Sequence, residues 1–133
     1  MDKKEKLLEL GLTSKHMDNL INAVEQIRSG KLAPEKLKDI IIQMKNKIDE
    51  TAAKIPDIAI EVKNLKNKEG LEAVGILEDG INIYQKAYNI LSLFLMESNK
   101  AHLEEGLKVI KEAYEKLTKG QEMLARVLKK FLM

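Results

Sequence analysis

Cysteine and tryptophan are absent from this chain of 133 residues, proline occurs twice, and aromatic residues make up 4% of it. Without cysteine there is no disulfide, no thiolate nucleophile and no thiolate metal site, a composition suited to a reducing compartment. Arginine is nearly missing too, at Arg28 and Arg126 alone among 23 basic residues. Nucleic-acid sites draw on arginine forks and exposed aromatic rings. With both scarce and a net charge of +2, nucleic acid is not an expected partner. The longest strongly apolar run, Ile90 to Met96 with Ser92 inside it, is far too short to span a membrane. Leu7-Leu8-Glu9-Leu10 near the start is too short and too interrupted by acid for a signal peptide. A cytoplasmic protein with no membrane contact is expected.

Signatures of chemistry are equally thin. There is no Gly-rich phosphate loop, no GxSxG elbow and no HExxH pair. Carboxylate-bridged metal bundles need Glu-x-x-His pairs, but Thr13 precedes His16 by three residues and Asn99 precedes His102 by three. Both histidines read as surface residues in a first helical turn. Glu104-Glu105 reads as acid favoured at a helix N-terminus. Lys63, Lys66, Lys68, Lys129 and Lys130 read as solvated faces. No catalytic residue, metal site or cofactor is expected, and the chain reads as non-enzymatic.

What the chain does hold is helical periodicity. Apolar residues at 44% and charged residues at 33% fit a globular protein large enough for a real core. The expected fold is all-α, an antiparallel up-down bundle of three long helices plus a short N-terminal helix, forming a single domain over 1–133. The expected helices cover about 14–29, 34–68, 71–97 and 99–132. Gly30 would stop the first helix and Gly70 the second. In the second, Leu37, Ile41, Met44, Ile48, Thr51, Ile55, Ile58, Val62 and Leu65 alternate spacings of four and three. That register crosses Pro56 unchanged, which favours one helix kinked at Pro56 over two helices. The third helix has a seam of Val74, Leu77, Ile81, Tyr84, Tyr88, Leu91 and Leu95. A β-hairpin over Val74–Tyr84 is the rival there and explains fewer residues. The fourth follows Leu103, Leu107, Ile110, Tyr114, Leu117, Gln121, Leu124, Leu128 and Phe131.

Two ladders of small residues recur every seven positions: Ala73, Gly80, Ala87 and then Gly106, Ala113, Gly120. Glycine inside a helix costs about 1 kcal/mol relative to alanine. Repeating it on one stripe implies that the third and fourth helices approach each other closely.

All three tyrosines fall on seams. Pairing the helices about their turns gathers Tyr84, Tyr88, Tyr114 and Thr51 at mid-bundle, near Pro56. The plain reading is core rings with hydroxyls that find partners. At least one of the Tyr84 and Tyr88 hydroxyls, or a water it holds, is expected to serve the kinked backbone near Ala52, whose carbonyl Pro56 leaves without its helical donor. The alternative is a small-molecule-binding bundle with a pocket lined by these four residues. The short first helix would leave the other end three helices thick. Val62, Ile76, Met123, Val127 and Phe131 are expected to share an apolar face there. The function expected is protein–protein helix packing, coiled-coil in manner, with a homodimer or another helical protein as the partner.

Overall fold

The computed structural model describes residues 14–132, with side chains over 16–130. Among the described residues four α-helices run in order: α1 Ser14–Arg28, α2 Leu37–Asn64, α3 Lys68–Glu97 and α4 Lys100–Leu132. A 3-10 turn, Pro34–Lys36, leads into α2. There is no strand among the described residues, so Val74–Tyr84 is helix and not a hairpin. The fold is an all-α bundle. Its most extensive contact is between α3 and α4, followed by α2 with α3, while α1 packs on α4 more than on α2.

Local chemistry sets the turns. Gly30, at φ 84°, lets Lys31 and Leu32 donate to the Gln26 carbonyl at 2.8 and 3.0 Å, closing α1. The second helix begins at Leu37 and ends at Asn64, shorter than 34–68 at both ends. Within those limits it is unbroken through Pro56, which lies on the exposed side. A proline there removes one internal bond on the wet face, where water can replace it.

Gly70 does not stop α2. The chain reverses at Lys66, in the left-handed region at φ 53°, and Asn67 then caps α3 by accepting from the Gly70 N–H at 2.9 Å. Gly70 is inside the first turn of α3 and buried, pressed by Val62 and Val127. The next reversal follows the same pattern. Ser98, at φ 55°, ends α3 with its N–H on the Phe94 carbonyl, and the Asn99 side chain accepts from the Ala101 N–H at 2.9 Å.

The core seams follow the sequence pattern on α2, where Leu37, Ile41, Met44, Ile48, Thr51, Ile55, Ile58 and Val62 are all buried. On α3 and α4 the buried stripe is rotated toward the small residues. Ala73, Gly80, Ala87, Gly106, Ala113 and Gly120 are buried, while Tyr88, Tyr114 and Gln121 are half-buried and Leu95 is exposed. A β-carbon at Gly80 would stand 2.8 Å from Leu117 Cγ and 3.2 Å from its backbone nitrogen. The reciprocal pair, Gly120 with Leu77, gives the same two distances. Gly106 receives Leu91, and Gly70 receives Val127. These pairs step in opposite directions by equal numbers of residues, so one register holds along the whole α3–α4 contact. It sets Ala73 against Leu124, Tyr84 against Ala113 and Ala87 against Ile110, a small residue meeting a large one each time.

Candidate functional site

Buried polar chemistry is concentrated at mid-bundle. Tyr84 has no exposed surface, and its hydroxyl lies 3.2 Å from Nε2 of His16, in the first turn of α1. The bond crosses the bundle from α1 to α3. Burial pushes the Tyr84 hydroxyl far above its ordinary range, so the phenol stays protonated. The His16 imidazole is held below its ordinary 6.5, first by burial and then by Lys47, with Glu50 opposing. Tyr84 donates to Nε2 where that nitrogen is bare and accepts from it in the tautomer that carries the proton on Nε2.

For Tyr84 the partner differs from the one expected. The Tyr84 hydroxyl serves His16 and not the backbone near Ala52, which lies on the exposed side of α2 with Pro56. Nor does His16 keep the surface placement expected of it, since it is half-buried. The sequence did hold a signal for it. His16 precedes Leu20 by four residues, next to Met17 on the apolar stripe, and a phenol at a core position requires a partner. His102 lies at the other turn, with Nε2 2.7 Å from the Glu97 carboxylate.

Of the other mid-bundle residues, Thr51 is fully buried while Tyr88 and Tyr114 are half-buried. No buried side-chain nitrogen or oxygen among the described residues lacks a hydrogen-bond partner. A cleft of about 250 Å³ opens between α1 and α2, lined by His16, Asn19, Leu20, Ala23, Ile40 and Gln43. A second, of about 310 Å³, lies over Ile83, Glu112, Glu115, Lys116 and Lys119 on α3 and α4. Neither cleft is lined by a tyrosine or by Thr51.

The expected apolar face at the three-helix end is closed within the chain. Val62, Met123 and Val127 are buried and Ile76 is half-buried, while the side chain of Phe131 lies outside the described residues. Gly70 has a part in this: Val62 of α2 and Val127 of α4 both press against the place a side chain would take at the start of α3. Large apolar side chains are exposed elsewhere. Leu93, Leu95 and Met96, exposed by 40%, 42% and 82%, fall within the last turn of α3. Ile42, Ile60 and Leu71 stand on separate stretches of α2 and α3.

Among the described residues no helix is long and apolar enough to cross a membrane, and no cluster of three or more His, Asp or Glu could hold a metal. Comparison with protein-family models, with curated proteins and with solved structures finds no match to this chain.

Proposed function

We propose that this bundle is a non-enzymatic interaction module that packs its helices against a second copy of itself. The observation that supports the reading is the last turn of α3. Leu93, Phe94, Leu95 and Met96 make that turn apolar on every side, and only Phe94 is buried by the rest of the chain. A helical turn that is apolar all round belongs in an interior. Here the left-handed Ser98 swings the chain back before α4 can cover more than one side of it. Leu93 and Met96, three residues apart, share one face and are the natural anchors.

The surface offered is therefore at the α3–α4 turn, not at the opposite end around Val62 and Val127. A homodimer would seat the two α3 ends together. Molar mass by light scattering across a concentration series tests this. The wild type should approach twice the chain mass as concentration rises. The double variant Leu93→Lys, Met96→Lys should remain at one chain mass with unchanged helical circular dichroism. A wild type that stays at one chain mass throughout, with the double variant melting no differently, would refute the reading.

A further inference from the structure

The chain has no cysteine, so methionine thioethers are its only sulfur. Met17, Met44 and Met123 are core residues, exposed by 2%, 0% and 7%, and packing shields their sulfur atoms. Met96 is the opposite case. At 82% it is the most open large apolar side chain among the described residues. It stands in the last turn of α3, next to Leu95 and one helical turn on from Leu93. A methionine is flexible and polarizable and so suits a contact surface, but its sulfur also carries a reactivity that leucine lacks.

We propose that Met96 is an oxidation site that controls self-association: a peroxide converts its thioether to the sulfoxide, and the oxidised turn no longer pairs with a second copy. This control rests on the α3 ends pairing in a homodimer, as proposed for this turn. In the chemical step the sulfur lone pair attacks one peroxide oxygen. An S–O bond forms, the O–O bond breaks, and with proton transfer the second oxygen leaves as water. Sulfur loses two electrons and the peroxide gains them. The product is polar and chiral where the thioether was apolar. Burying its oxygen in an apolar contact without a hydrogen-bond donor costs free energy. A two-fold dimer brings one sulfoxide from each copy and bears that cost twice. The step can be reversed: a methionine sulfoxide reductase removes the oxygen as water while a dithiol closes to a disulfide. Pairing shields the sulfur in turn, so oxidant and second copy compete for Met96.

Hydrogen peroxide is the probe. Peptide mass spectrometry reads which methionines are oxidised, and light scattering over a concentration series reads the molar mass. Met96 should gain one oxygen ahead of Met17, Met44 and Met123, and more slowly at concentrations where the dimer forms. After oxidation the apparent dissociation constant of the dimer should rise by about tenfold or more. The two epimer-specific sulfoxide reductases, with dithiothreitol, should restore it. Met96→Leu keeps an apolar anchor, and it keeps Met1 and Met133, which lie outside the described residues. It should dimerise and ignore peroxide. An untreated wild type that never leaves one chain mass defeats the homodimer reading itself, and the control with it. A wild type that pairs equally tightly before and after Met96 is oxidised overturns the oxidation control alone. So does a Met96→Leu variant that dissociates in peroxide, or oxidation that reaches the buried methionines as fast as Met96.

Discussion

Gly80 and the backbone of Leu117 are so close that a β-carbon on the glycine would lie 3.2 Å from the Leu117 nitrogen. Backbone cannot move aside as the tip of a flexible side chain can, so the contact fixes the separation of α3 and α4. Gly120 and Leu77 repeat it on the other helix. Gly80→Ala and Gly120→Ala should each lower stability in denaturant unfolding, by about 1–3 kcal/mol, through overpacking. Gly75 is the internal control, since it is exposed in the same α3 with nothing near its missing β-carbon. Gly75→Ala should raise stability by about 0.5–1 kcal/mol. All three substitutions stabilising together would show that the ladder sets no spacing.

Pro56 lies mid-helix and exposed, and it interrupts one backbone bond without interrupting α2. Pro56→Ala restores the donor to the Ala52 carbonyl and removes the ring's clash with the preceding turn. A gain of about 1–3 kcal/mol is expected, reduced somewhat by the freer unfolded chain. Equilibrium unfolding in urea reads it directly. A loss of stability would mean that the proline ring makes contacts that matter more than the missing bond.

The α2–α3 turn should respond in opposite senses at adjacent residues. Asn67→Ala removes the cap on the Gly70 N–H and should cost about 1 kcal/mol. Lys66→Gly relieves a left-handed conformation at φ 53° and should add about 1 kcal/mol. Thermal melts of the two variants beside the wild type decide it, with melting temperatures expected on either side.

The burial of His16, with Lys47 nearby, makes stability depend on pH with a definite sign. The His16 pKa is lowered on folding, so between its folded value and the ordinary 6.5 the unfolded chain binds more protons. Its contribution is fully present above 6.5 and is lost as pH falls through the folded value. Urea midpoints measured from about pH 8 down to about pH 5 should fall more in the wild type than in His16→Gln. Tyr84→Phe removes the hydrogen bond between the phenol and the half-buried imidazole and should cost about 1–3 kcal/mol near neutral pH. Equal pH slopes in the wild type and His16→Gln would remove His16 from the account.

How far the sequence reaches depends on the range of the physics. Helix positions are set by neighbours three and four residues apart, and the four-three spacing of α2 from Leu37 to Val62 is borne out residue by residue. Close approach at Gly80 and Gly120 was legible for a related reason: a glycine kept inside a helix costs stability unless packing returns it. The boundary at Gly70 was misread because a stop glycine and a crossing glycine look alike in one dimension. Only Val62 and Val127, brought in from two other helices, tell them apart. The same limit hid the burial of Val62, Met123 and Val127 within one chain.

The pairing of His16 with Tyr84 lay further out of reach. Sequence alone determined that a phenol would stand in the core and need a partner, but not which of the nearby polar groups would reach it. That choice depends on the placement of α1 across the bundle, a matter of how four surfaces pack together rather than of any local preference. Local spacing therefore determined the helices and the stripe along which α3 and α4 touch. Tertiary packing decided which apolar faces closed, which stayed open at Leu93 and Met96, and which histidine became part of the interior.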